Sequence, residues 1–267
     1  MRLTYPMAVA STVAVLAFGV SAFASILWNT VDADVLIIGE LHDNPTHHQH
    51  QVEAIIETRP KAVVFEMLLP DEARALADVA RDSAVMARAT QGFHWSNIKD
   101  YADLLAQSDV IIGAALPRAD MRAAFTDGAA ATFGEGAADF GLTTDLPAAQ
   151  QAKREALQFD AHCGAMPVEM MGGMVEAQRL RDAHFAHTVV DALDTFGAPI
   201  ILITGNGHAR TDWGVPVYLN AARPELRVQS VGQGEAGIPP AGTFDFVLTD
   251  ADAPDRGDPC AAFQSGN

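Results

Sequence analysis

Continuous aliphatic runs, not alternating ones, punctuate the chain: Val35-Leu36-Ile37-Ile38, Ala62-Val63-Val64-Phe65, Val110-Ile111-Ile112 and Ile200-Ile201-Leu202-Ile203. A short run that is apolar on both faces reads as a strand buried on both sides, the usual state of a parallel sheet covered by helices. The pattern predicts strands over Ala33–Ile38, Lys61–Phe65, Val110–Ala114, Pro199–Thr204, Val215–Leu219, Leu226–Val231 and Phe244–Leu248. Helices are predicted over Pro45–Thr58 and Asp71–Arg88. Two apolar strands separated by one helix make a βαβ unit.

From Met121 to Leu193 the texture changes to alanine, glycine and methionine, with Val175–Leu193 the clearest helix. This stretch reads as a helical cap, residues 119–195, inserted between strands. The fold class expected is therefore α/β: a mainly parallel central sheet flanked by helices, with an inserted helical cap. Glycine and proline mark loops between Gly232 and Gly242, and the tail after Asp250 reads as irregular.

Ligands in open α/β sheets gather at the carboxyl ends of the strands. Two of the buried runs there release a glycine-flanked histidine: Gly39-Glu40-Leu41-His42 and Gly205-Asn206-Gly207-His208. Glu66 ends a third run, where an ionised carboxylate needs a cation or hydrogen bonds to offset its burial. If Glu40 and His42 continue the strand, its two-residue period sets them on one side. Glu40, His42, Glu66 and His208 are thus either a first shell for a divalent metal or acid-base groups without one. Gly39, Gly205 and Gly207 offer positive φ at the turns, unless they simply end strands. His47, His48 and His50 suggest a metal site, His47 and His50 sharing a helix face, against merely solvated side chains in the first turn of their helix. His184, His187 and Asp191 share one helix face, which a pocket or a plain surface explains equally well. Tyr101 and Tyr218 offer phenolates for iron, against a structural role for each.

Charge narrows the partners. With 17 basic against 34 acidic residues among 267, the surface repels nucleic acid and anionic lipid. Length and apolar content suit one domain, 25–267. The first 24 residues hold Arg2, no acidic residue and an apolar stretch ending Ala22-Phe23-Ala24, a signal-peptide pattern with cleavage before Ser25. An uncleaved membrane anchor is the alternative. Either way the chain is expected to be exported, and Cys163 and Cys260 would then meet an oxidising compartment that lets them pair. No Gly-x-Ser-x-Gly elbow supports a serine hydrolase.

Several motifs in order resemble the ChaN-type haem-binding proteins, distant relatives of erythromycin esterases and TIKI/TraB metalloproteases. They are Gly39-Glu40-Leu41-His42-Asp43-Asn44-Pro45 with His48 and Gln51; Phe65-Glu66-Met67-Leu68; Trp95 with Tyr101; and Leu116-Pro117-Arg118. Ala177-Gln178 with Arg181-Asp182 follows, then Gly205-Asn206-Gly207-His208 with Gly214-Val215-Pro216 and Tyr218-Leu219. Departures are Ala115 for the family's asparagine before Leu116-Pro117-Arg118, Phe185 for a methionine in the cap motif, and no lipobox cysteine.

The resemblance implies a cleft for haem, some members associating around paired haems, and a soluble periplasmic protein in haem or iron uptake. Its partners would be haem or another small molecule, outer-membrane or periplasmic uptake proteins, and a second copy of the chain. Tyr101, Tyr218, His162 and His184 are then the candidate iron ligands. Arg118 and Arg210 are placed to pair with propionates, and Gln178 and Asp182 belong to the cap-helix motif. The competing expectation is a metal-dependent hydrolase built on Glu40, His42, Glu66 and His208.

Overall fold

The computed structural model describes residues 28–261, so the leader predicted over 1–24 lies outside the described residues. Strands β1 (Val35–Glu40), β2 (Ala62–Phe65), β3 (Ile111–Gly113), β4 (Ile200–Gly205), β5 (Val228–Glu235) and β6 (Phe246–Ala251) form one sheet in the order β3-β2-β4-β1-β5-β6. Every neighbouring pair of strands is parallel.

The unbroken aliphatic runs are explained by this position. In β4, Ile200 and Leu202 join a core on one face with Val35, Ile37 and Val64, while Ile201 and Ile203 join the other face with Leu36, Ile38, Val63 and Phe65. A period of two thus serves two cores, and within the aliphatic runs no position is left for a polar side chain. Helices complete both layers: α1 (Pro45–Thr58), α2 (Pro70–Ala75), α3 (Ser83–Ala89), α4 (Ala102–Gln107), α5 (Arg118–Asp127), α6 (Ala129–Phe133), α7 (Ala148–Ala161), α8 (Met171–Phe196), α9 (Asn206–Ala209) and α10 (Val215–Ala222). The inserted helical layer is α5 to α8, between β3 and β4. Its longest member, α8, runs 26 residues and presses Leu180, Ala183, Ala186 and Val189 into the first core.

Three expectations change. Residues 215–219 are the start of α10, not a strand: Pro216 sits in the first helical turn, where its missing N–H costs nothing, and Val215, Tyr218 and Leu219 bury one helical face. The helix expected over 71–88 is two, α2 and α3, the second capped by Asp82 accepting from the Val85 N–H. The βαβ unit of β1, α1 and β2 stands, with β4 between its two strands and paired with both. β5 continues to Glu235, into the stretch read as loop.

Cys163 and Cys260 form a disulfide across a sequence separation of 97, joining the turn after α7 to the tail after β6. Among the described residues, no helix is long and apolar enough to cross a membrane.

Candidate functional site

The backbone brings β1, β2 and β4 to one edge in register, Glu40 beside Gly205 and Phe65 beside Ile203, so residues leaving these strands must meet. Glu40, at the end of β1, is 1% exposed. Its Oε1 accepts from Tyr101 Oη and lies 2.7 Å from His42 Nδ1; its Oε2 accepts from Gln51 Nε2 at 2.8 Å, with His48 Nε2 at 3.3 Å. Burial pushes the carboxyl up, but hydrogen bonds and charge from His42 and His48 outweigh that and hold it at about 2. On His42, burial favours the neutral ring, yet the Glu40 hydrogen bond and the Glu66 charge win and raise its pKa.

Glu66 is the second buried carboxylate. Thr204 Oγ1 at 2.5 Å and the Gly205 N–H at 2.7 Å donate to Oε2, and Arg181 Nη2 donates to Oε1. The same Oε1 lies 3.9 Å from His42 Nε2 and 3.8 Å from His208 Nε2. Against burial, Arg181 and the two imidazoles keep this carboxyl far below the usual range. His208, set at the edge by α9, has Nδ1 2.6 Å from Asp182 Oδ1 of α8. Burial is the largest influence on Asp182 and raises its pKa despite that contact.

Two imidazoles, each with Nδ1 against a carboxylate, therefore turn Nε2 toward a third carboxylate on the floor of a cleft. A carboxylate behind Nδ1 fixes the tautomer that leaves Nε2 as the reactive edge. The cleft has a volume of about 590 Å³, within the roughly 300–1,000 Å³ of small-molecule sites. Leu41, Trp95, Leu157, Val175 and Trp213 give it apolar wall, and α7 and α8 close the side opposite the strand ends.

All four residues read from the strand ends thus meet in one hollow. The divalent-metal expectation gains no support from it: the Arg181 guanidinium already takes the Glu66 oxygen both imidazoles approach. Among the described residues, no group of three or more His, Cys, Asp or Glu side chains is disposed to hold a metal ion.

Of the residues linked to haem by resemblance, Gln178, Asp182 and Arg210 line the cleft. The others lie elsewhere. Tyr101 is fully buried beneath Glu40, where burial and the adjacent carboxylates keep its phenol protonated. Tyr218 belongs to the core of the first face, its pKa pushed up to about 12 by burial and Asp182. His162 caps α7 with Nδ1 2.7 Å from the Gln158 carbonyl oxygen. His184 is half-buried, and burial lowers its pKa. Arg118 is exposed at the start of α5. Arg210 is gripped by Asp212, Nε to Oδ1 at 2.8 Å and Nη2 to Oδ2 at 2.6 Å, with its guanidinium 3.5 Å from the centre of the Trp213 ring.

His47, His48 and His50 are buried, not solvated. Leu41 N–H donates to His47 Nδ1 at 3.0 Å, and His50 Nδ1 lies 2.8 Å from Gln233 Oε1. His47 and His50 meet β5 at Gly234 and Gln233, while His48 lies against Glu40 and Tyr101; the His47 ring thus serves backbone groups that water would otherwise satisfy. Arg181 and Arg154 escaped the sequence reading as site residues; Arg181 stands beside Asp182 in the cap motif, whereas nothing around Arg154 in sequence marks it.

Fold and cleft define a parallel α/β protein with a cleft between its strand ends and an inserted helical layer. The model of the haem-binding uptake ChaN family, of the Tiki superfamily, matches residues 27–219, and the chain belongs to that family. A solved structure of ChaN of Campylobacter jejuni, described as binding haem cofacially, is similar at 16% identity with a TM-score of 0.61, over 86% of this chain and 91% of that one. The type III effector HopBA1 is similar at 11% identity over 82% of this chain and 88% of that one, with a TM-score of 0.42. No curated protein matches the chain.

Proposed function

We propose that this is an exported haem-binding protein that holds haem in the cleft between the strand ends and helices α7 and α8, and passes it on in iron uptake. The observation that carries the reading is the cleft itself: an apolar-walled hollow of about 590 Å³ with an imidazole edge on its floor, in a member of a haem-binding family. The residues suit the ligand. Three arginines, Arg154, Arg181 and Arg210, line the cleft beside the carboxylates Glu40, Glu66 and Asp182; Arg181 is paired with Glu66 and Arg210 with Asp212, which leaves Arg154 as the cation to face an acidic ligand group. His42 has the more exposed side chain of the two cleft imidazoles, 33% against 10% for His208, and Glu40 holds its Nδ1. His42 Nε2 is therefore the donor we assign to the haem iron. The leader-like residues 1–24 and the disulfide support export. Uptake proteins and a second copy of the chain are the partners this role calls for.

Haemin titrated into the purified protein should produce a shifted Soret band that saturates at a fixed stoichiometry. His42→Ala should move or abolish that band while the far-ultraviolet circular dichroism stays unchanged. A free-haemin spectrum at micromolar protein would refute the reading; an unaltered band in His42→Ala would refute only the assignment of the iron donor.

A further inference from the structure

We propose that Arg154 anchors an acidic group of the ligand, so that the porphyrin carboxylates meet the α7 wall of the cleft. This rests on the haem reading and gives the bound ligand a direction.

Three guanidiniums line the cleft, and they differ in what holds them. Arg181 is paired with Glu66, and Arg210 with Asp212. Arg154 is 7% exposed, and its hydrogen bonds among the described residues go to neutral oxygens: Nη2 to the Trp213 carbonyl at 3.3 Å, and one shared with the Tyr218 hydroxyl. Its Nε is buried without an acceptor. Asp182 is close enough to act on it through charge, but the Asp182 carboxylate is engaged by His208 Nδ1 at 2.6 Å.

A buried guanidinium with an unsatisfied N–H and no carboxylate hydrogen-bonded to it is a costly arrangement in a protein interior. An incoming carboxylate supplies the missing countercharge, because guanidinium N–H groups form charge-assisted hydrogen bonds with carboxylate oxygens. The surroundings agree. The Arg154 guanidinium lies 5.2 Å and Lys153 Nζ 5.1 Å from the centre of the Trp213 ring, and Gln158 and Gln178 line the same cleft. The α7 wall thus offers a cation beside an aromatic face, in the same cleft as the imidazole edge of His42.

Esterified porphyrin isolates this contact, since it keeps the ring and the iron and removes the negative charge. Soret titrations of the full chain with haemin and with haemin dimethyl ester should show wild type preferring haemin at least tenfold. Arg154→Gln should erase the preference, leaving ester affinity within about twofold of wild type, and Arg154→Lys should keep part of it. Equal wild-type affinity for acid and ester overturns the proposal without recourse to any variant. So does a preference that survives in Arg154→Gln; if that variant fails to fold, the wild-type comparison and Arg154→Lys decide. Absence of a Soret change with either ligand overturns the haem reading itself, and the proposal with it.

Discussion

Glu40 concentrates the electrostatics of the site in one buried side chain. Its carboxyl is depressed from an ordinary 4.5 to about 2, so the stabilisation it contributes is fully present above pH 4.5 and is lost as pH falls through 2. A shift of that size corresponds to on the order of 3 kcal/mol. His42 has the opposite sign: its pKa is raised, so its contribution is whole below the ordinary 6.5 and fades as pH rises through the elevated value. Urea unfolding followed across pH should show wild type losing stability between pH 4.5 and 2, with a visibly shallower loss in Glu40→Gln. Equal acid slopes in the two proteins would mean that Glu40 is not held ionised by its neighbours. The residue scale is also where sequence reading reached furthest: Glu40, His42, Glu66 and His208 each follow a buried strand, and strands in register deliver their ends to one edge. Arg154 was invisible because its neighbour Trp213 is remote in sequence, and only folding sets the indole beneath it.

Among the elements, the glycines at the strand ends serve a purpose other than the expected one. Neither Gly39 nor Gly205 takes a positive φ; each is small because something lies against it. A Cβ on Gly39 would stand 2.6 Å from Asn206 Oδ1, and one on Gly205 would stand 3.0 Å from His42 Nε2. Gly207 meets nothing within 4 Å. Gly39→Ala should therefore cost about 1–3 kcal/mol through forced displacement of α9. Gly207→Ala in α9 should be neutral or stabilising by up to about 1 kcal/mol. Denaturation midpoints of the two variants test this, and a Gly207→Ala loss as large as that of Gly39→Ala would contradict it. The strand α10 was mistaken for shows the limit of pattern reading over five residues: Val-Pro-Val-Tyr-Leu looks β-branched and apolar, while the burial of Val215, Tyr218 and Leu219 follows helical spacing. The histidines of α1 misled for a related reason, since helical periodicity locates a face but not the β5 segment that covers the end of the helix.

For the whole molecule, a parallel α/β fold was readable from the unbroken aliphatic runs, but the strand order was not. Insertion of β4 between β1 and β2 depends on which non-adjacent pair buries more surface, and local sequence carries no record of that choice. The disulfide and the tail act at this scale as well. Arg256 pairs with Asp43 after β1, at 2.6 Å, and with Glu235 of β5, at 2.6 Å, before the chain reaches Cys260. The tail thus ties the sheet to the end of α7, a wall of the cleft. Closing a loop of this length constrains the unfolded chain by about 4–5 kcal/mol in the chain-entropy model. Reduction, or the Cys163→Ala/Cys260→Ala variant, should lower stability toward that amount by urea unfolding; a change under about 1 kcal/mol would show that the bond leaves the unfolded ensemble nearly untouched.

Topologically, the Cys163–Cys260 bond makes a covalent ring that holds α8, β4, α9, α10, β5 and β6, while β1, β2 and β3 stay outside it on an open thread. A single cut in an exposed loop of that ring, such as the turn around Ile238, severs the backbone without separating the pieces. On a gel run without thiol the nicked protein should migrate as one chain, and thiol should split it in two, whereas a cut near Gly92 should release a fragment under either condition.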